Sequence, residues 1–189
     1  SATSDVYKRQ PYNNLQTAID DCVTGDIIIV EHSDISYGNV IVNRNITIYG
    51  PGYFLQDNWV TDSTQWDFRP ATISNVSFQL GGSGATIQGM TITNGIVEQC
   101  DSLEISRNRI TNSLRLGTTG IAKNVVLTQN FIEGSAPILV DILNATNYLI
   151  SNNYIKNING SSTHAINVSS GNGLILNNLF LGAPDNVFK

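Results

Sequence analysis

The sequence predicts an all-β fold, a parallel β-helix solenoid with three strands per coil and a short N-terminal capping helix. One pattern returns four times: Ile105-Ser-Arg-Asn108-Arg-Ile110, Leu127-Thr-Gln-Asn130-Phe-Ile132, Ile150-Ser-Asn-Asn153-Tyr-Ile155 and Ile175-Leu-Asn-Asn178-Leu-Phe180. Its Asn positions are 22, 23 and 25 residues apart, the length of one solenoid coil. Charged residues make up 13% of the 189 residues against 41% hydrophobic. That balance fits a chain whose backbone groups pair in long ladders while Ser, Thr and Asn fill the corners.

The elements follow in order. Residues 1–13 carry no periodicity and read as an extended or disordered leader. Residues 14–25 read as a helix: Asn14 caps it, Leu15, Ala18, Ile19 and Cys22 fall on one face, and Gly25 ends it. A single amphipathic helix ahead of a solenoid is expected to cover the apolar interior and open strand edges of the first coil. Residues 26–181 form the β-helix, interrupted by an inserted loop at 53–70 that holds both tryptophans. Each coil offers a strand before the Asn, a second directly after it, and a third at Leu114–Leu116, Ile138–Val140 and Ile166–Val168. Asn tolerates the left-handed conformation better than most residues, so Asn108, Asn130, Asn153 and Asn178 are expected to turn the corner themselves. Their stacked amides are expected to form a hydrogen-bonded ladder. Met90 takes the same place one coil earlier. Residues 182–189 read as a truncated tail, since no closing helix follows the last repeat.

Cys22 and Cys100 are assigned to different coils and read as unbridged, buried thiols. The net charge of -5 argues against nucleic acid or an anionic membrane as partner. No segment reaches the ~20 apolar residues of a membrane span. Five Asn-x-Ser/Thr sequons, at Asn45, Asn75, Asn144, Asn159 and Asn167, are read as corner and strand residues.

Leu15-Gln-Thr-Ala-Ile-Asp20, Gly25-Asp26-Ile-Ile-Ile-Val30 and Asn45-Ile-Thr-Ile-Tyr-Gly50, followed by the Asn-bearing coils, resemble the opening of pectin-lyase-like β-helix proteins. The resemblance implies a right-handed helix and an extracellular or cell-surface location. It also directs attention to the third strand of each coil, where that superfamily usually places its groove. There the alternation turns Leu114, Leu116, Ile138, Val140, Ile142, Ile166 and Val168 inward and Arg115, Asp141 and Asn167 outward, with Glu98 and His164 candidates to join them.

Two chemistries can be tried on this column. A lyase acting on uronic acids needs a carboxylate neutraliser, for which Arg115 is the candidate, and a base, for which His164 is the candidate. Calcium enters only under this reading, and no metal ligands are assigned because no dense Asp cluster is present. A hydrolase needs two carboxylates. Glu98 and Asp141, two rungs apart, are expected at roughly 9–10 Å, near the upper edge of the inverting range. The paired-Asp, His-Gly and Arg-x-Lys motifs of polygalacturonases are absent, as is the Tyr-Gly-x-Asp-Pro-His motif of alginate epimerases. Tyr53, Trp59 and Trp66 of the inserted loop, with Asn167, are the candidates for binding sugar rings and hydroxyls. Arg107, Arg109, Gln129 and Lys156 around the Asn corner read as solubilising surface.

The leading functional reading is therefore a non-catalytic extracellular or surface β-helix that binds carbohydrate or acts as an adhesin. A polysaccharide lyase or glycoside hydrolase acting on acidic glycans is the alternative. A phage tailspike-like module, marked by trimerisation, is the third.

Overall fold

A computed structural model describes residues 12–53, 69–158 and 164–182. The chain is an all-β parallel solenoid of about 6 turns with a single short helix near its N-terminus. Helix α1 spans Leu15–Asp21, and the Asn14 side chain accepts the Thr17 N–H at 3.0 Å. It is shorter than the spacing predicts. Cys22 leaves the helical conformation as C-cap, and Gly25 instead carries a turn at φ 94° whose N–H donates to Asn45 O. Leu15, Ala18 and Ile19 bury against the first coil. Gln16 brackets the edge of that coil, accepting the Ile41 N–H and donating to the Ile41 carbonyl. The helix thus satisfies edge groups as well as covering the interior.

The first coil holds β1 (Ile27–Ile29) and β2 (Asn39–Val42), the second β3 (Thr47–Tyr49) and β4 (Thr72–Phe78). The third holds β5 (Thr86–Gln88) and β6 (Thr91–Val97), the fourth β7 (Glu104–Ser106) and β8 (Arg109–Leu116). The fifth holds β9 (Ala122–Lys123), β10 (Val126–Thr128), β11 (Phe131–Gly134) and β12 (Ile138–Ile142). The sixth holds β13 (Ala145–Ser151), β14 (Tyr154–Asn157) and β15 (His164–Val168), and β16 (Gly171–Leu176) and β17 (Leu179–Leu181) begin another. One sheet runs β1-β3-β5-β7-β10-β13-β16, the other β17-β14-β11-β8-β6-β4-β2, with β12 between β8 and β15. All these pairings are parallel. The second and third strands of a coil are separate in the fifth and sixth coils. In β4, β6 and β8 they run on as one strand.

Register turns the repeat into stacked columns. Ile48, Ile87, Ile105, Leu127 and Ile150 lie one above another inside the first sheet, each no more than 1% exposed. Ile73, Ile92, Ile110, Ile132 and Ile155 do the same behind the corner. Branched apolar side chains repeated at one height stack into a continuous core, and each coil supplies only a slice of it.

The expected Asn ladder is present. Met90 N–H donates to Asn108 Oδ1, Asn108 N–H to Asn130 Oδ1, Asn130 N–H to Asn153 Oδ1 and Asn153 N–H to Asn178 Oδ1, at 2.9–3.0 Å. Each Nδ2 reaches back to a carbonyl of the preceding coil, at Ile87, Ile105, Leu127 and Ile150 in turn. Asn108, Asn130 and Asn153 are at most 2% exposed, so an incomplete amide network would be costly. The corner geometry differs from expectation in one respect. The left-handed residues are those just before the Asn: Arg107, Gln129, Asn152 and Asn177, at φ 52–56°, with Gly89 at 75° one coil earlier. The preceding residue takes the sharp turn, which frees the Asn to project its amide inward.

The inserted loop leaves and rejoins at this same corner, since Ala71 precedes Thr72, the register partner of Thr91, as Met90 precedes Thr91. Cys22 and Cys100 are unbridged; Cys100 is buried, whereas Cys22 is only partly so.

Candidate functional site

The third-strand column lies as the alternation predicts. Ile41, Ser77, Ile96, Arg115, Asp141 and Asn167 are successive register partners, one per coil. Asn167 Nδ2 donates to Asp141 Oδ1 at 2.7 Å and to Ser169 Oγ at 3.0 Å, which fixes one oxygen of the carboxylate. Arg115 is exposed and faces Asp141 across one rung, yet no ion pair joins them. Ile138 departs from expectation: it faces out, and Leu139 takes the interior place at 0% exposure. The chain bends at Ala136 and Pro137, and the alternation is broken at Leu139 before Val140, Asp141 and Ile142 resume it.

That turn creates an open cleft of about 330 Å³ lined by Asn112, Ser113, Arg115, Ser135, Ala136, Pro137, Ile138 and Asp141. Its floor depends on a second column of amides that sequence spacing does not reveal. Asn75 Nδ2 donates to Asn39 Oδ1, Asn94 Nδ2 to Asn75 Oδ1, and Asn112 Nδ2 to Asn94 Oδ1, at 2.6–3.0 Å. The column stops at Gly134. A Cβ there would lie 2.7 Å from the Asn112 carbonyl oxygen and 2.9 Å from its Cα, so no larger residue fits without moving backbone. Asn112 Oδ1 therefore accepts no hydrogen bond among the described residues.

Glu98 does not reach the cleft. It follows Val97, the partner of Leu116, so it stands level with Gly117, two residues beyond the Arg115 column. Two residues of rise combined with two rung spacings separate it from Asp141 by about 12 Å. That exceeds the inverting range and corrects the expected 9–10 Å. Its carboxylate turns the other way, accepting Ser77 Oγ at 2.6 Å and Gln79 Nε2 at 3.4 Å. Beside it, Cys100 Sγ donates to the Gln79 carbonyl, and burial together with the Glu98 charge pushes the thiol up to about 11.

His164 opens β15 level with Ile138 and is not among the cleft residues. Tyr53 sits at the second-coil corner, where the preceding Gly52 N–H donates to Gly89 O, and burial raises its phenol. It belongs to a different part of the solenoid from the cleft. Trp59 and Trp66 lie outside the described residues. The corner cations are engaged structurally: Arg109 holds Glu133, and Arg107 Nε donates to Gln129 Oε1 at 2.9 Å. Next to them, Phe131 and Tyr154 stack at 4.9 Å between ring centroids.

The structure thus brings together Arg115, Asp141 and Asn167 and leaves Glu98, His164 and Tyr53 apart. It adds Asn112, Ser113 and Ser135, which the sequence reading missed. The run Gly134-Ser135-Ala136-Pro137 is the signal that could have found them, because small residues followed by Pro mark a break in the coil. Among the described residues, no group of three or more His, Cys, Asp and Glu gathers to hold a metal ion. None of their helices is long and apolar enough to cross a membrane. No protein-family model, curated protein or solved structure matches the chain.

Proposed function

We propose that this chain is a non-catalytic, carbohydrate-binding β-solenoid of the pectin-lyase-like type, acting outside the cell or at its surface. The observation that carries the reading is the Arg115–Asp141 cleft: polar groups with hydrogen-bonding capacity left unused among the described residues, on a scaffold fixed rung by rung, and with Asp141 the one carboxylate among its lining residues. Such a surface suits binding of hydroxyl-rich chains, where preorganised donors and acceptors supply affinity. The non-catalytic part rests on Glu98, whose carboxylate is drawn to Ser77 of the preceding coil, away from Asp141 along the solenoid. The alternative, a lyase or hydrolase, rests on Arg115 and Asp141 sharing one cleft.

A panel of neutral and acidic polysaccharides, assayed for binding and for turnover with and without calcium, tests the proposal. Binding without new reducing ends or unsaturated uronate absorbance is the expected result. Turnover that falls in Asp141→Asn would replace it with the enzymatic reading. Light scattering that reports a trimer would favour the tailspike-like module.

A further inference from the structure

We infer that the cleft takes a neutral glycan, held through neighbouring hydroxyls, in preference to an acidic one. The inference rests on the glycan-binding reading above and adds the class of sugar. Four polar groups in the cleft have unused capacity among the described residues. Asn112 Oδ1 is an acceptor only, left over where its column ends at Gly134. Asp141 keeps one carboxylate oxygen after Asn167 has taken the other. Arg115 is donor only, and the Ser135 hydroxyl serves as either.

Two acceptors, one donor and one group of both kinds match vicinal hydroxyls, each of which donates once and accepts twice. They match a carboxylate poorly, because an anionic sugar would bring its oxygens against Asp141 and Asn112 Oδ1. Arg115 and Asp141 stand one rung apart and cancel in formal charge, so the cleft offers a polyanion no net attraction. The whole chain, at -5, opposes one. Ala136 and Pro137 supply a small apolar wall for the C–H face of a ring.

Calorimetric titration of the full chain at low and high salt decides the question, with gluco-, manno- and galacto-oligosaccharides set against oligogalacturonate and oligoalginate. Neutral sugars are expected to bind with little salt dependence. Asp141→Asn, which keeps the shape and the Asn167 bond, should weaken them on the order of tenfold. Arg115→Gln, an exposed change that leaves the core alone, should also weaken them. Tighter binding of the acidic sugars, falling with salt, would overturn the neutral assignment while leaving the glycan-binding reading in place. Neutral binding that neither variant alters would move the site elsewhere and overturn it too. Failure of every sugar to bind at millimolar concentration would remove the glycan-binding reading itself.

Discussion

Two columns of asparagine run along this solenoid, and they end differently. The corner column is buried from Asn108 to Asn153 and half-buried at Asn178, and each residue meets the next with both backbone and side chain. The column from Asn39 to Asn112 lies on the outer side of the second sheet and links side chain to side chain. Where the second meets Gly134 it stops, the chain swings out, and a cleft opens. Continuity of an amide column builds scaffold, and its interruption leaves polar groups for something else.

The largest expected effect lies in the buried column. Asn130→Ala removes the acceptor for Asn108 N–H and the donor to Ile105 O, stranding both in the interior. Chemical denaturation should report a loss of about 2–4 kcal/mol. Asn178→Ala, at the less buried end, should cost clearly less, and equal losses would show that burial does not set the column's value. Gly134→Ala comes next. The added Cβ presses on Asn112 backbone, and a loss of about 1–3 kcal/mol is expected. A neutral result there would mean that the outer column ends for some reason other than space.

Asn112→Ala should cost about 1 kcal/mol, since a partly exposed amide surrenders one side-chain bond. If it equals Asn130→Ala, the two columns are energetically alike and the contrast between them fails. The smallest effect concerns Cys100, beside which the Glu98 carboxylate lies. With its thiol held neutral above the ordinary 9.0, Cys100 keeps its proton in the native state while the unfolded chain loses it. Its stability contribution is complete below pH 9 and declines as pH rises toward about 11. Urea midpoints measured across that window should fall less steeply in Cys100→Ala than in the natural chain. Glu98→Gln should bring thiol titration nearer the ordinary value and leave sugar binding unchanged.

Much of this architecture was legible because the buried column repeats a conspicuous residue at near-constant spacing. Even there the sequence misplaced the bend: chemical tolerance pointed to the Asn, whereas geometry hands the left-handed turn to Arg107, Gln129, Asn152 and Asn177. The outer column was hidden because its members stand 36, 19 and 18 residues apart, across an insertion and a register shift after Ile92. Alternation sufficed to put Arg115, Asp141 and Asn167 on one face. It could not place Glu98, since two residues of offset along a strand leave the inward and outward pattern unchanged.

The one-way wiring of the corner ladder has a further consequence. Asn108, Asn130 and Asn153 each look forward for the amide oxygen that their own N–H requires, and back for the carbonyl that their side-chain nitrogen requires. A coil therefore fits any neighbour that carries the same residue at the same height. Removing the 22 residues from Asn108 through Gln129 would set Asn130 where Asn108 had stood and leave the corner and apolar columns in step. Removing one residue inside a strand would turn an apolar side chain outward and strand an amide. The natural unit of change in this molecule is the whole turn, so lineages built on such a ladder should vary in length by complete coils, with the amide column unbroken across each join.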